Sequence, residues 1–257
     1  MWIYLFLMLS LVGCNNLDRS EKSNEKYLVL KGANLYSSGK KSEALKMYSN
    51  ALKLNPQNLV ALREKGIILA QLGDLKLGQE NLEKVLKANP NDTIVLKNLA
   101  YISFKKKDYS KSFNYLEKIP TDLKSNQDYL MLGYIFYLKK DYVKSLKKYS
   151  LITNNIIYSD SIFFDSYLKV LEDQYNKTIQ IQILLLVEDK IVYSKTNTLI
   201  LFEYYKNNLK EYKLAERVMK NYLTYNNLNN EILKKLSKLY DEIGEKEESL
   251  KTLNLIS

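Results

Sequence analysis

Residues 31–56 read KGANLYSSGKKSEALKMYSNALKLNP, and residues 65–90 read KGIILAQLGDLKLGQENLEKVLKANP. The two stretches are offset by 34 residues with no gap. Gly32 falls on Gly66, Gly39 on Gly73, Leu52 on Leu86, and Asn55-Pro56 on Asn89-Pro90. A fixed period of this length marks a stack of short supersecondary units. Each unit reads as two antiparallel helices joined by a tight turn. One small residue on each helix lets the axes approach where they cross. Large apolar residues such as Leu28, Leu35, Tyr48 and Leu52 surround the crossing, and Pro ends the second helix.

The phase continues along the chain. Gly32 and Gly66 are followed by Ala100 and Gly133, Ala44 and Gly78 by Ser112 and Ser145, Tyr48 and Leu82 by Leu116 and Tyr149. Asp108-Tyr109 and Asp141-Tyr142 recur at the inter-helix turn. Glu211-Tyr212, Ala215 and Met219 repeat the phase, as do Gly244, Ser249 and Leu253. This order of small residues, then an aromatic or Leu, then Pro resembles the tetratricopeptide repeat (TPR) family. The resemblance is close over 25–92, good over 93–155, recognisable over 196–257 and weak over 156–195.

The resemblance implies an all-α fold, a right-handed α-solenoid of about seven helix pairs. The expected units lie near 25–58, 59–92, 93–125, 126–158, 160–195, 196–229 and 230–257. Pro120 comes four residues early in its unit, which predicts a short second helix there. The stretch TIQIQILLLVEDKIVY (178–193) alternates at its start, as a strand does. The 34-residue spacing to the next unit assigns it to helix instead. The last helix, near 246–256, carries Glu247, Glu248 and Lys251 behind Glu245 and is expected to act as a polar cap.

The residue inventory narrows the chemistry. Among 257 residues there is no His and one Cys, so imidazole catalysis, a disulfide within the chain and a thiolate metal cage are all excluded. No phosphate-cradling Gly-rich loop is present. Carboxylates stand beside lysines on helix faces, and pairs such as Glu80/Lys84 and Glu216/Lys220 read as i,i+4 supports. The sequence is therefore not read as an enzyme, and neither a cofactor nor a metal is expected. The net charge is +10, but Lys, Asn, Ile and Tyr are all abundant, as in proteins from AT-rich genomes. Between 93 and 155, twelve Lys oppose five Asp and Glu, a local balance of +7. An acidic ligand segment or anionic lipid would be attracted there; Lys105-Lys106-Lys107 also offsets a helix dipole.

Residues 2–12 are apolar apart from Ser10 and the Tyr4 hydroxyl, too short to span a bilayer of ~30 Å. Leu11-Val12-Gly13-Cys14, followed by polar residues, resembles a bacterial lipobox. The resemblance implies a signal peptide over 1–13 and acylation of Cys14 by chains such as palmitate. It also implies a tether over 14–24 that reaches at most ~35 Å. No Lys or Arg precedes Arg19, so either the α-amine supplies the leader's charge or the start lies upstream. A lipid-anchored membrane protein of the bacterial envelope is expected, with the periplasmic face favoured by the short tether. An exported protein seldom meets nucleic acid, so no nucleic-acid partner is expected.

In this family the first helix of each unit lines the ligand groove. The implied groove candidates are Arg63 and Ile67 in the second unit, Lys97, Tyr101, Phe104 and Lys105 in the third, and Tyr134 and Tyr137 in the fourth, with Leu130 and Leu138 beside them. The expected partner is a protein or peptide, and the expected role is that of a scaffold or adaptor in envelope assembly. The alternative is a surface-exposed lipoprotein binding a host or environmental ligand. Some members grip a terminal carboxylate, but Val29, Ala33, Ile67, Gln127 and Met131 occupy those phases here, so no such clamp is expected.

Overall fold

A computed structural model describes residues 24–188 and 190–256. The leader over 1–13, Cys14 and the tether as far as Ser23 lie outside the described residues. Among the described residues the chain is all-helical, with fourteen α-helices. It forms two compact units that divide between Lys124 and Ser125.

The first unit holds three helical hairpins, α1 (Glu25–Ser37) with α2 (Lys41–Leu54), α3 (Leu59–Gln71) with α4 (Leu75–Ala88), and α5 (Thr93–Lys105) with α6 (Tyr109–Lys118). Helix starts are capped by side chains: Asn58 accepts from the Ala61 amide, Asp74 from Leu77, Asp92 from Val95 and Asp108 from Lys111. Each hairpin turn passes through a left-handed residue, Gly39, Gly73 or Lys107. The next amide returns to the carbonyl five residues back, as in Lys40 to Leu35, Asp74 to Leu69 and Asp108 to Ser103, each at 2.9 Å. Helix α6 has 10 residues against 14 in α2 and α4, the shortening that Pro120 predicts.

Close approach at the crossings explains the small residues. A methyl group on Gly32 would stand 2.9 Å from the Tyr48 ring. One on Gly66 would stand 2.8 Å from Leu82 Cγ and 3.1 Å from the Gly78 carbonyl oxygen. Ala44, Leu82, Ala100 and Leu116 are fully buried around these crossings. Leu96, Leu99 and Ala100 face the core, as their spacing requires.

The second unit holds α7 (Asn126–Leu138) with α8 (Tyr142–Tyr149), α9 (Ser161–Gln174) with α10 (Lys177–Leu186), α11 (Lys195–Glu203) with α12 (Tyr212–Tyr225), and α13 (Asn230–Glu242) with α14 (Lys246–Leu253). The alternating stretch at 178–193 is helical through α10, and the described residues after it are irregular. Turns at Lys140, Lys210 and Gly244 repeat the left-handed geometry. Helix α11 runs into a π-helical turn, Tyr204–Leu209. This turn carries Tyr205 into the core. Its closing amide, Glu211, therefore returns to Tyr205, one residue further back than in the other turns.

Hydrogen bonds cross three hairpins at the same 12-residue separation. Ser145 Oγ donates to the Gly133 carbonyl at 2.8 Å, Gln180 Nε2 to the Leu168 carbonyl at 3.1 Å, and the Ser237 and Ser249 hydroxyls meet at 2.9 Å. Leu168 and Gln180 thus replace the small pair in the α9–α10 hairpin. Helix α14 presents Glu247 and Lys251 to solvent, as the polar cap requires, but it also leaves Leu250 and Leu253 63% and 43% exposed. Its buried residues are only Ser249 and Thr252, so these two leucines point outward. Among the described residues no helix is long and apolar enough to cross a membrane.

Candidate functional site

In the first unit the groove candidates separate into packed and presented side chains. Arg63 is held by two carboxylates, Glu64 at 2.9 Å and Asp92 at 3.7 Å, so its charge serves the fold. Ile67 is half-buried and packs on the core around Leu62, Ala70 and Leu82. Phe104 meets Tyr109 edge to face at 5.3 Å. Lys97 is half-buried. Tyr101 is 38% exposed, and Lys105 Nζ lies 5.6 Å from the centre of its ring. This cation–π pair stands on the surface of α5. Sequence reasoning did not anticipate that Gln71 Nε2 donates to Tyr36 Oη at 2.8 Å, which ties α3 to α1.

In the second unit an aromatic row runs from α7 to α8. Tyr134 is half-buried and meets the buried Phe163 edge to face at 5.6 Å. It lies 5.8 Å from Tyr137, which lies 6.1 Å from Tyr142. Leu130, expected beside them, is 1% exposed and belongs to the core, while Leu138 is 42% exposed. The reason is that α7 contacts both α8 and α9 and so buries a wide stripe: Leu130, Met131, Leu132, Gly133 and Ile135 all lie inside.

The expected i,i+4 supports divide too. Glu216 and Lys220 pair at 2.6 Å. Tyr240 Oη also donates to Glu216 at 2.9 Å, and Lys220 first of all holds that carboxyl below its usual range. The Glu80–Lys84 pair does not form. Lys84 instead stands with Lys87 beside an apolar concavity of about 530 Å³ lined by Pro56, Leu59, Leu62 and Ala88.

The sequence reading also missed two adjoining concavities of about 450 and 430 Å³ in the second unit, which share Glu188, Tyr193 and Asn221. Glu188 follows the end of α10, and its side chain is only 14% exposed. Its carboxylate accepts from Arg217 Nη2 at 2.9 Å, from Tyr193 Oη at 3.3 Å and from Tyr205 Oη. Burial pushes both phenols above their ordinary range, so they stay protonated and donate. The signal that was available is the run Arg217, Asn221, Tyr225, spaced by four along α12. Among the described residues no cluster of three or more Cys, Asp or Glu could hold a metal ion.

Residues 29–78 match the family model for the tetratricopeptide repeat. Over 101 residues the chain is 33% identical to Hsp70-Hsp90 organizing protein 3 of Arabidopsis thaliana. That stretch is 39% of this chain and 18% of that protein, so the chain spans a small part of its curated relative. A tetratricopeptide repeat protein from Parabacteroides merdae superposes with a TM-score of 0.53 at 18% identity, covering 86% of this chain and 87% of that one. YrrB, described as a TPR protein with an unusual peptide-binding site, superposes with a TM-score of 0.54 at 16% identity, covering 80% of this chain and 97% of that one. At these identities the likeness is one of fold.

Proposed function

We propose that this chain, a tetratricopeptide-repeat protein, is a lipid-anchored scaffold of the bacterial envelope that binds a protein or peptide partner through the exposed faces of its first helices. TPR proteins bind protein or peptide partners, and YrrB, which shares the fold, is described as having a peptide-binding site. The observation that carries the binding reading is Tyr101: a large ring left 38% exposed on α5, with the Lys105 ammonium against it. Such a surface suits a peptide that offers an apolar or aromatic side chain and a nearby carboxylate. The anchoring half rests on the sequence Leu11-Val12-Gly13-Cys14 between an apolar leader and a polar tether. With the acyl chains at Cys14, the body works close to the membrane, and its periplasmic face is the favoured side.

Two measurements test the two halves separately. Cells labelled with an alkyne fatty acid are compared for the wild type and Cys14→Ala. Label on the wild type alone supports the anchor; an unlabelled wild type refutes it. Cross-linking capture from the same cells then compares the wild type with Tyr101→Ala. Loss of the captured partner with an unchanged melting temperature supports the groove. Unchanged capture refutes it, and a large fall in melting temperature would assign the ring to packing. Protease shaving of intact cells reports the face: loss of the body defeats the periplasmic placement in favour of surface display.

A further inference from the structure

None of the residues that line the concavities around Glu188 stands on a first helix. Their walls are Leu185 near the end of α10, Glu188 and residues 191–193 after it, and one side of α12. Three features make them a built site. Glu188 is half-buried, with its side chain 14% exposed, and its carboxylate accepts from Arg217, Tyr193 and Tyr205. Arg217 spends one nitrogen on Glu188 and is still 51% exposed at the rim. Its guanidinium carries five N–H donors. Asn221 stands beside it and donates to Tyr193 Oη at 3.3 Å. The remaining wall is apolar: Leu185, Ile191 and Val192, with the ring of Tyr225 77% exposed and Val192 46% exposed at the opening.

We infer that this cleft is a second peptide-docking site, for an extended protein segment in which a large apolar side chain stands next to an acidic one. The apolar side chain enters between Ile191, Val192 and Tyr225, and the carboxylate meets Arg217 and Asn221. Glu188 is a positioning residue: it fixes the guanidinium through one nitrogen and leaves the other donors to the ligand. The two concavities share three residues and adjoin, so a segment with one side chain in each has its neighbouring residues side by side. An internal acidic side chain is therefore the source of the carboxylate. This site stands independently of the first-helix faces, and neither proposal requires the other.

The test is a titration of the ¹⁵N-labelled full-length chain in detergent with N-acetyl-Asp-Phe-amide, followed by amide shifts. The isosteric N-acetyl-Asn-Phe-amide is the uncharged control. The expected result is that shifts fall on 191–193 and 217–225, and that the Asn probe binds about fivefold more weakly, the value of one charged contact at a half-exposed rim. Tyr225→Ala, at a position too exposed to unfold the chain, weakens the Asp probe. Arg217→Gln abolishes the difference between the two probes. Equal binding of both probes to the wild type overturns the proposal. So do shifts confined to other residues, or a Tyr225→Ala variant that binds as the wild type does. The comparison of probes on the wild type stands even if Arg217→Gln fails to fold.

Discussion

Replacing Gly133 with Ala should destabilise the second unit more than any other single methyl group added to a crossing glycine. The new Cβ would lie 2.5 Å from Tyr149 Cε1 and 2.6 Å from Cδ1. Carbon atoms in contact prefer about 3.5–4.0 Å, so the overlap is roughly 1 Å. Tyr149 has nowhere to go. It is 4% exposed, its hydroxyl bonds the buried Ser166, and its ring meets Tyr167 edge to face at 5.5 Å. Overpacking costs about 1–3 kcal/mol, and this overlap belongs at the upper end. Removing a glycine from a helix interior returns about 1 kcal/mol. The net expected loss is about 2 kcal/mol, a fall in melting temperature of roughly 4–8 °C. Gly32→Ala should cost less, because its nearest Tyr48 atom is 2.9 Å away. The third hairpin supplies the remedy, with Ala100 and Leu116 fully buried at the same two phases. Gly133→Ala combined with Tyr149→Leu should therefore be more stable than the sum of the two single changes by about 2 kcal/mol. Ser166 keeps a partner in that variant, since its hydroxyl also donates to the Phe163 carbonyl at 2.7 Å. Circular dichroism melts and urea titrations of the four proteins measure the cycle. A Gly133→Ala variant as stable as the wild type, or strict additivity in the double variant, would refute the reasoning.

Two further predictions concern the same hairpins. Lys107, Lys140 and Lys210 hold φ near +60°, where Gly39, Gly73 and Gly244 serve elsewhere. Each Lys→Gly change should stabilise by a few tenths to about 1 kcal/mol, the relief of left-handed strain less the added freedom of the unfolded chain. Lys→Ala at the same positions should show no such gain; urea midpoints that rise equally for both would assign the effect to charge. Ser112 Oγ is buried with no hydrogen-bond partner, whereas Ser145 at the same phase donates to Gly133. Ser112→Ala should stabilise and Ser145→Ala destabilise, each by about 1 kcal/mol, and urea titrations giving the same sign for both would contradict this.

The first hairpins were legible because their crossings use Gly and Ala and their second helices end in Asn-Pro, features tied directly to backbone approach and chain direction. The α9–α10 hairpin was faint for the same physical reason in reverse. Leu168 and Gln180 occupy the crossing, and a side-chain amide bridges to a carbonyl where small residues normally touch. The π-helical turn at Tyr204–Leu209 inserted a residue into the period and blurred the next hairpin. At the candidate site, spacing placed Tyr101 and Tyr134 on corresponding faces, yet only tertiary contacts distinguish them. Tyr134 leans on Phe163, while the Tyr101 ring keeps the Lys105 ammonium beside it at the surface. The Glu188 cleft was out of reach because it joins Glu188, Tyr205 and Arg217 across separations of 17 and 29 residues, which no periodic signal encodes.

The crossings also constrain the order in which such a chain can change. Four first-to-second helix pairs occupy the same phases: Gly32 with Tyr48, Gly66 with Leu82, Ala100 with Leu116 and Gly133 with Tyr149. Gly with Tyr, Gly with Leu and Ala with Leu all occur, and Ala with Tyr does not. A repeat moving from the first combination to the third can pass through the second, where the ring shrinks before the methyl arrives. The reverse order passes through steric overlap. Duplicated repeats can therefore diverge along one mutational path and not the other, and a designer grafting repeats from this chain must exchange the ring before the glycine.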